Sequence, residues 1–139
     1  MNYLEDLAGW LSQEAVRRRI GRPVAARASF ALPFDAGDAT GILAAVAASA
    51  QKWFDAVPRR AYALGPVPSG ALHALVEFAT GETALLGVEP CEQPAVHVLL
   101  IGNHGTVEWT DAPDFRPVAS LSPGPIAESL RTGAPVDYR

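Results

Sequence analysis

The tightest constraint in this sequence is a strand with no polar side. Ala95-Val96-His97-Val98-Leu99-Leu100-Ile101 sets Val96, Val98 and Leu100 against Ala95, Leu99 and Ile101, because successive strand side chains point to opposite faces. Such a strand belongs in a sheet whose two faces both need cover. The neighbouring sequence supplies that sheet. Ala71 to Phe78 alternates, with Leu72, Ala74, Val76 and Phe78 opposite His73, Leu75 and Glu77. Thr80-Gly81-Glu82 is a hairpin turn, and Thr83 to Val88 returns. Gly102-Asn103-His104-Gly105 turns the double-faced strand into Thr106 to Trp109, and those residue types are ordinary turn chemistry. Arg60 to Leu64 precedes the group, joined through the loop Gly65-Pro66-Val67-Pro68-Ser69-Gly70. Consecutive strands on short turns predict an antiparallel meander.

Helices supply one layer of cover. Leu4, Leu7, Ala8, Leu11 and Ala15 follow one helical face. Asn2 with Glu5 fits a capping pair, and Gly21-Arg22-Pro23 ends the helix. Arg17, Arg18, Arg19 and Arg22 lie at that end, where cations complement the helix dipole; an anion or partner contact is the alternative. Val24 to Leu32 reads as a strand, with Arg27 and Ser29 on its polar side. A second helix spans about Gly41 to Ala56, apolar over more than half its circumference, and Pro58 stops it. The chain therefore reads as α+β: a two-layer sandwich, its largely antiparallel open sheet carrying helices on one face. Residues 1–139 read as one such domain, with a Pro/Gly-rich tail from about 111 and a short helix at Ile126 to Arg131.

One helical layer covers one sheet face. Leu75, Leu99, Ile101 and either Leu85 or Leu86 remain for the other. A second copy of the chain would cover them; the Pro-rich tail folding over the same face is the alternative.

Composition excludes several function classes. A net charge of −4 leaves no broad positive field for nucleic acid or anionic lipid. The most apolar stretch, Gly41 to Ala50, is too short to span a bilayer, and the acidic start lacks a signal-peptide layout. With Cys91 as the single cysteine, an intrachain disulfide is impossible and a cytoplasmic location is expected. His73, His97 and His104 lack the close spacing of a zinc site, so no metal is expected. No G-x-S-x-G nucleophile elbow occurs.

Several of these segments, taken in order, resemble one known family. They are Gly21-Arg22-Pro23-Val24, the strand–turn–strand Ala74 to Ala84, the run Val98 to Glu108 with its G-x-x-G-T, and Leu130-Arg131-Thr132-Gly133-Ala134-Pro135. Together they are similar to the C-terminal sheet domain of the glucose–fructose oxidoreductase/inositol dehydrogenase (Gfo/Idh/MocA) family. The resemblance implies an open-sheet domain that, in full-length members, accompanies a Rossmann half binding NAD or NADP. No G-x-G-x-x-G occurs in this chain, and no cofactor is expected. The resemblance also implies an Asp and a His four residues apart on the buried helix. Aligning Gly41 with the glycine that opens that helix puts Ala45 and Ser49 at those positions, with Lys52 where a second Asp is common. Neither Ala nor Ser is a base near neutral pH.

The expectation is thus a non-catalytic interaction or accessory protein without activity alone. It forms a homodimer through its sheet, with a nucleotide-binding oxidoreductase subunit as a further partner class. A substrate-binding component of a split oxidoreductase and a small-ligand module, using a cleft at Ser49 and Lys52, are the alternatives.

Overall fold

A computed structural model describes residues 3–138. The first helical stretch is two helices, α1 (Tyr3–Leu11) and α2 (Glu14–Ile20), where one was expected. Ser12 Oγ donates to Ala8 O at 2.7 Å, and Gln13 is extended. A serine that bonds the preceding turn competes with the helix it sits in. The break rotates the second apolar face, so Val16 and Ile20 are buried and Ala15 is exposed. The capping residue Asn2 lies outside the described residues.

Strand β1 (Pro23–Leu32) follows, buried at Ala26, Ala28, Phe30 and Leu32. Helix α3 (Ala39–Phe54) ends at a left-handed Asp55, ahead of Pro58. Then come β2 (Pro58–Leu64), β3 (Leu72–Phe78), β4 (Thr83–Pro90), β5 (Ala95–Gly102) and β6 (Thr106–Asp111). Helix α4 (Pro125–Thr132) and a two-residue strand β7 (Val136–Asp137) close the chain. No repeated pattern marks β7, which was not expected.

The sheet is open and mixed, in the order β6-β5-β1-β4-β3-β2-β7. The expected meander is corrected here. β4 and β5 do not pair; β1 lies between them, parallel to β4 and antiparallel to β5. Residues 91–94 carry the chain past the end of β1, where Cys91 N–H donates to Leu32 O at 2.9 Å. All other pairings are antiparallel, as the α+β reading requires.

The core lies between α3 and one sheet face. Ile42, Leu43, Val46, Ala50 and Trp53 meet a floor that includes Ala26, Phe30, Val76, Leu86, Val98 and Leu100, all buried. Helix α1 lies on α3, and α4 covers β2 on the same side. The tail also runs on the helical side. Ser120 N–H donates to Gly41 O at 3.0 Å, and a Cβ at Gly41 would stand 2.6 Å from Ala119 Cβ. The alternative in which the tail covers the opposite sheet face is therefore overturned. Among the described residues no helix is long and apolar enough to cross a membrane.

Candidate functional site

The residues at the family's acid–base positions do not form a catalytic pair. Ala45 is half-buried on α3 and Ser49 is buried under α1, where its Oγ donates to Leu4 O at 3.3 Å. Lys52 is exposed on the same helix. A groove of about 310 Å³ runs beside them, bounded by Leu4, Glu5, Ala48 and Ser120. Ser49 and Lys52 thus share one cleft, but the serine hydroxyl already has a partner in it.

The glycine motifs have packing reasons. Gly21 has φ 75°, and a Cβ there would lie 2.1 Å from Asn103 Oδ1. At Gly102 it would lie 2.1 Å from Ile20 O. The turn after β5 is pressed onto the α2–β1 junction, with Arg22 N–H donating to Asn103 Oδ1 and His104 N–H to Ile20 O, both at 2.8 Å. His104 is therefore a turn residue. Among the described residues no group of three or more His, Cys, Asp or Glu is placed to hold a metal ion.

A second polar cluster ties α1 to β6. Trp109 Nε1 donates to Tyr3 Oη at 2.9 Å, and Tyr3 Oη donates to Asp111 Oδ2 at 3.0 Å. Burial, and to a smaller extent Asp111, pushes the Tyr3 phenol up to about 12, although the Trp109 hydrogen bond works in the other direction. Trp10 packs on Trp109, and Phe115 stacks on Tyr3 at 5.2 Å. This is a joint between α1 and β6.

The open side of the sheet is different. Strand register lays its residues out in rows. Glu108, Leu99, Arg27, Leu85, Leu75 and Tyr62 form the middle row from β6 to β2. The row beside it reads Thr110, His97, Ser29, Gly87, His73 and Leu64. Leu75 and Leu85 are each 40% exposed, while Leu86, the other candidate, is fully buried. Leu99 and Ile101 are half-buried on this face. Two of its carboxylates are engaged, Glu108 with His97 Nε2 at 3.1 Å and Glu77 with Arg59 at 3.0 Å, while Glu89 stands opposite Ala31 further along β4.

Gly87 leaves a gap in the second row, and a depression of about 300 Å³ opens around it. Arg27, Ser29, His73 and His97 supply its polar lining, Leu85 and Leu99 its apolar lining. Residue patterning placed Arg27 and Ser29 on one side of β1, but the depression depends on the parallel register of β1 with β4, which no local pattern carries.

No protein-family model and no curated protein matches the sequence. Solved structures do. GenD2 from gentamicin A biosynthesis, in complex with NAD, superposes with a TM-score of 0.65 at 14% identity, over 98% of this chain and 60% of that one. A probable dehydrogenase from Thermotoga maritima gives 0.64 at 13% identity, over 87% of this chain and 43% of that one. The myo-inositol dehydrogenase from Lactobacillus casei, in complex with NAD(H) and myo-inositol, gives 0.64 at 16%, over 83% and 39%. The chain has the fold of these dehydrogenases' sheet domain. It spans 39% to 60% of their lengths.

Among the described residues no strand-to-helix connection carries a dinucleotide-type glycine loop. The strand-to-helix connections here, residues 33–38 and 112–124, contain prolines and no G-x-G-x-x-G. That sequence is what lets a backbone approach a pyrophosphate at a helix start.

Proposed function

We propose that this chain is a non-catalytic assembly domain that pairs with a second copy of itself through the open face of its sheet. One observation carries the reading: among the described residues the α-helices and the tail lie on the same side, leaving Leu75, Leu85, Leu99 and Ile101 on the other. Covering exposed apolar surface stabilises association by roughly 25 cal/mol per Å². The face also carries both signs of charge, with Arg27 near its centre and Glu108 and Glu77 towards its flanks. A patch of that kind can complement itself across a two-fold axis.

The shared fold suggests a second partner class, a nucleotide-binding oxidoreductase that this domain joins as an accessory subunit. The split-enzyme alternative is less favoured. It asks for chemistry from Ala45 and from a Ser49 whose hydroxyl is bonded to Leu4 O at 3.3 Å.

Light scattering across a dilution series tests the pairing. Twice the chain mass is expected for the wild type. Leu75→Gln combined with Ile101→Gln should weaken association at least tenfold while leaving the thermal transition in place. A wild type that stays at single-chain mass at the highest attainable concentration would end the proposal. Mixing with a dehydrogenase of this fold separates the accessory role: a shared elution peak supports it, and independent elution removes it.

A further inference from the structure

We propose that the depression at Gly87 on the open sheet face binds a small organic carboxylate, with Arg27 as its anchor. The site differs from the groove beside Ser49, and its lining comes from one chain, so it can be tested on a chain that does not pair.

The argument begins with Arg27. Among the described residues, Arg17, Arg18, Arg59, Arg60, Arg116 and Arg131 each have a carboxylate or carbonyl within reach of the guanidinium. Arg27, Arg19 and Arg22 have neither, and of these three only Arg27 lies on an interior strand of the sheet. The carboxylates nearest in register to Arg27 are taken, Glu108 by His97 and Glu77 by Arg59, and Glu89, the other carboxylate on β4, lies beyond Gly87 in the row of Ala31. A cationic pocket therefore persists inside a chain of net charge −4. The guanidinium fork matches two carboxylate oxygens, an arrangement about twice as strong as a neutral hydrogen bond.

The surroundings narrow the ligand. Register puts Ser29 one pair along β1 from Arg27, with Gly87 beside Ser29 on β4 and His73 beyond it on β3. Ser29 and His73 have no side-chain partner among the described residues, so each can donate to a ligand oxygen. Gly87 makes the room. A Cβ there would lie 3.0 Å from His73 Cδ2, closing the depression at its floor. Leu85 and Leu99 flank Arg27 across β4 and β5 and give an apolar body two walls. The volume, about 300 Å³, sits at the lower end for small-molecule sites. Charge alone would accept phosphate as readily; the two leucines favour a carboxylate on a short apolar skeleton.

Binding and pairing use the same face, so each must alter the other by the same factor. The two proposals nevertheless fail separately. Pairing is read from mass, and the ligand from its own titration in the full chain.

The test is a titration of the intact protein with sodium benzoate at constant ionic strength, followed by two-dimensional NMR of backbone amides. Inorganic phosphate is the comparison. Saturable shifts around residues 27–29, 85–87 and 97–99 are expected, with a dissociation constant on the order of 1 mM. Arg27→Ala should weaken binding about tenfold or more, the loss of a charge-assisted contact. Gly87→Ala keeps every charge and should weaken it comparably by filling the floor. Thermal melts confirm that both variants fold. The assignment is overturned by an absence of saturation, by an Arg27→Ala variant that binds as the wild type does, or by phosphate binding more tightly than benzoate. Repeating the titration on Leu75→Gln with Ile101→Gln, which leaves the lining intact, should give saturable binding at least as tight as in the wild type, because pairing no longer competes for the face; loss of saturation there would overturn the assignment.

Discussion

Leu85 and Leu86 are adjacent in the chain and lie on opposite faces of the same sheet. Leu86 is fully buried under the helices, whereas Leu85 is 40% exposed. The covered face is a finished interior: α3 brings Ile42, Val46 and Trp53 down on it, and polar atoms there mostly have partners. The open face carries leucines, an arginine without a counter-ion and a gap at Gly87. One face holds the fold together. The other is left open by the described residues.

The sharpest way to break this comparison is to truncate both leucines. Leu86→Ala removes contacts in a close-packed layer and leaves a void, costing about 2 to 5 kcal/mol. Leu85→Ala should change the stability of the isolated chain by less than about 0.5 kcal/mol. Urea unfolding at low protein concentration measures both. Equal losses would show that the open face is as structural as the covered one. A loss at Leu85 that appears only at high concentration would instead locate its role in pairing.

A pair of serines gives a smaller contrast. Ser129 is fully buried; its Oγ donates to Ala134 O at 2.7 Å and accepts from Ala63 N–H at 2.8 Å. Strand β7 pairs with Arg60 and Ala61 only, so the serine takes the place of a strand neighbour for Ala63. Ser129→Ala leaves a buried N–H and a carbonyl without that partner, at about 1 to 3 kcal/mol. Ser29→Ala, exposed on the open face, should fall within about 0.5 kcal/mol of wild type. Denaturation midpoints decide it.

These pairs also mark where the sequence could be read and where it could not. Alternation around Leu72, Ala74 and Val76, and the double-faced run through Leu99, depend only on local period, and both stand in the structure. The same period assigns Leu75, Leu99 and Ile101 to the open face. It cannot choose strand neighbours. β1 and β4 are more than fifty residues apart in the chain, and nothing in either stretch encodes a parallel partner. The break at Ser12 was hidden because Leu11 and Ala15 keep the helical spacing across it. The path of the tail depends on long-range contacts, Gly41 with Ala119 and Ser120 and Tyr3 with Phe115, which composition does not reveal. Ala45, Ser49 and Lys52 did fall together on α3, but the hydrogen bond that occupies Ser49 comes from a helix forty-five residues away. The depression at Gly87 was beyond reach for the reason that hid β1: its lining comes from four strands in a register set by tertiary packing.

The smallest predicted effect concerns ionisation on the covered side. Tyr3 joins α1 to β6 by donating to Asp111 Oδ2 at 3.0 Å while accepting from Trp109 Nε1 at 2.9 Å. Its phenol, ordinarily near 10, is pushed up to about 12, chiefly by burial. A folded-state value above the unfolded one means that the native chain holds its proton more tightly. The associated stability is complete below about pH 10 and is lost as pH climbs towards 12. Removing the proton also sets a phenolate against the Asp111 carboxylate, so the joint opens where it titrates. Tyr3→Phe keeps the ring on Phe115 and deletes the hydrogen bonds, for about 1 kcal/mol at neutral pH. Because the variant has no proton to lose there, its deficit relative to wild type should hold steady between about pH 7 and 9 and narrow above 10. Urea midpoints of both proteins across that range test this, and a gap unchanged at pH 11.5 would remove Tyr3 from the account.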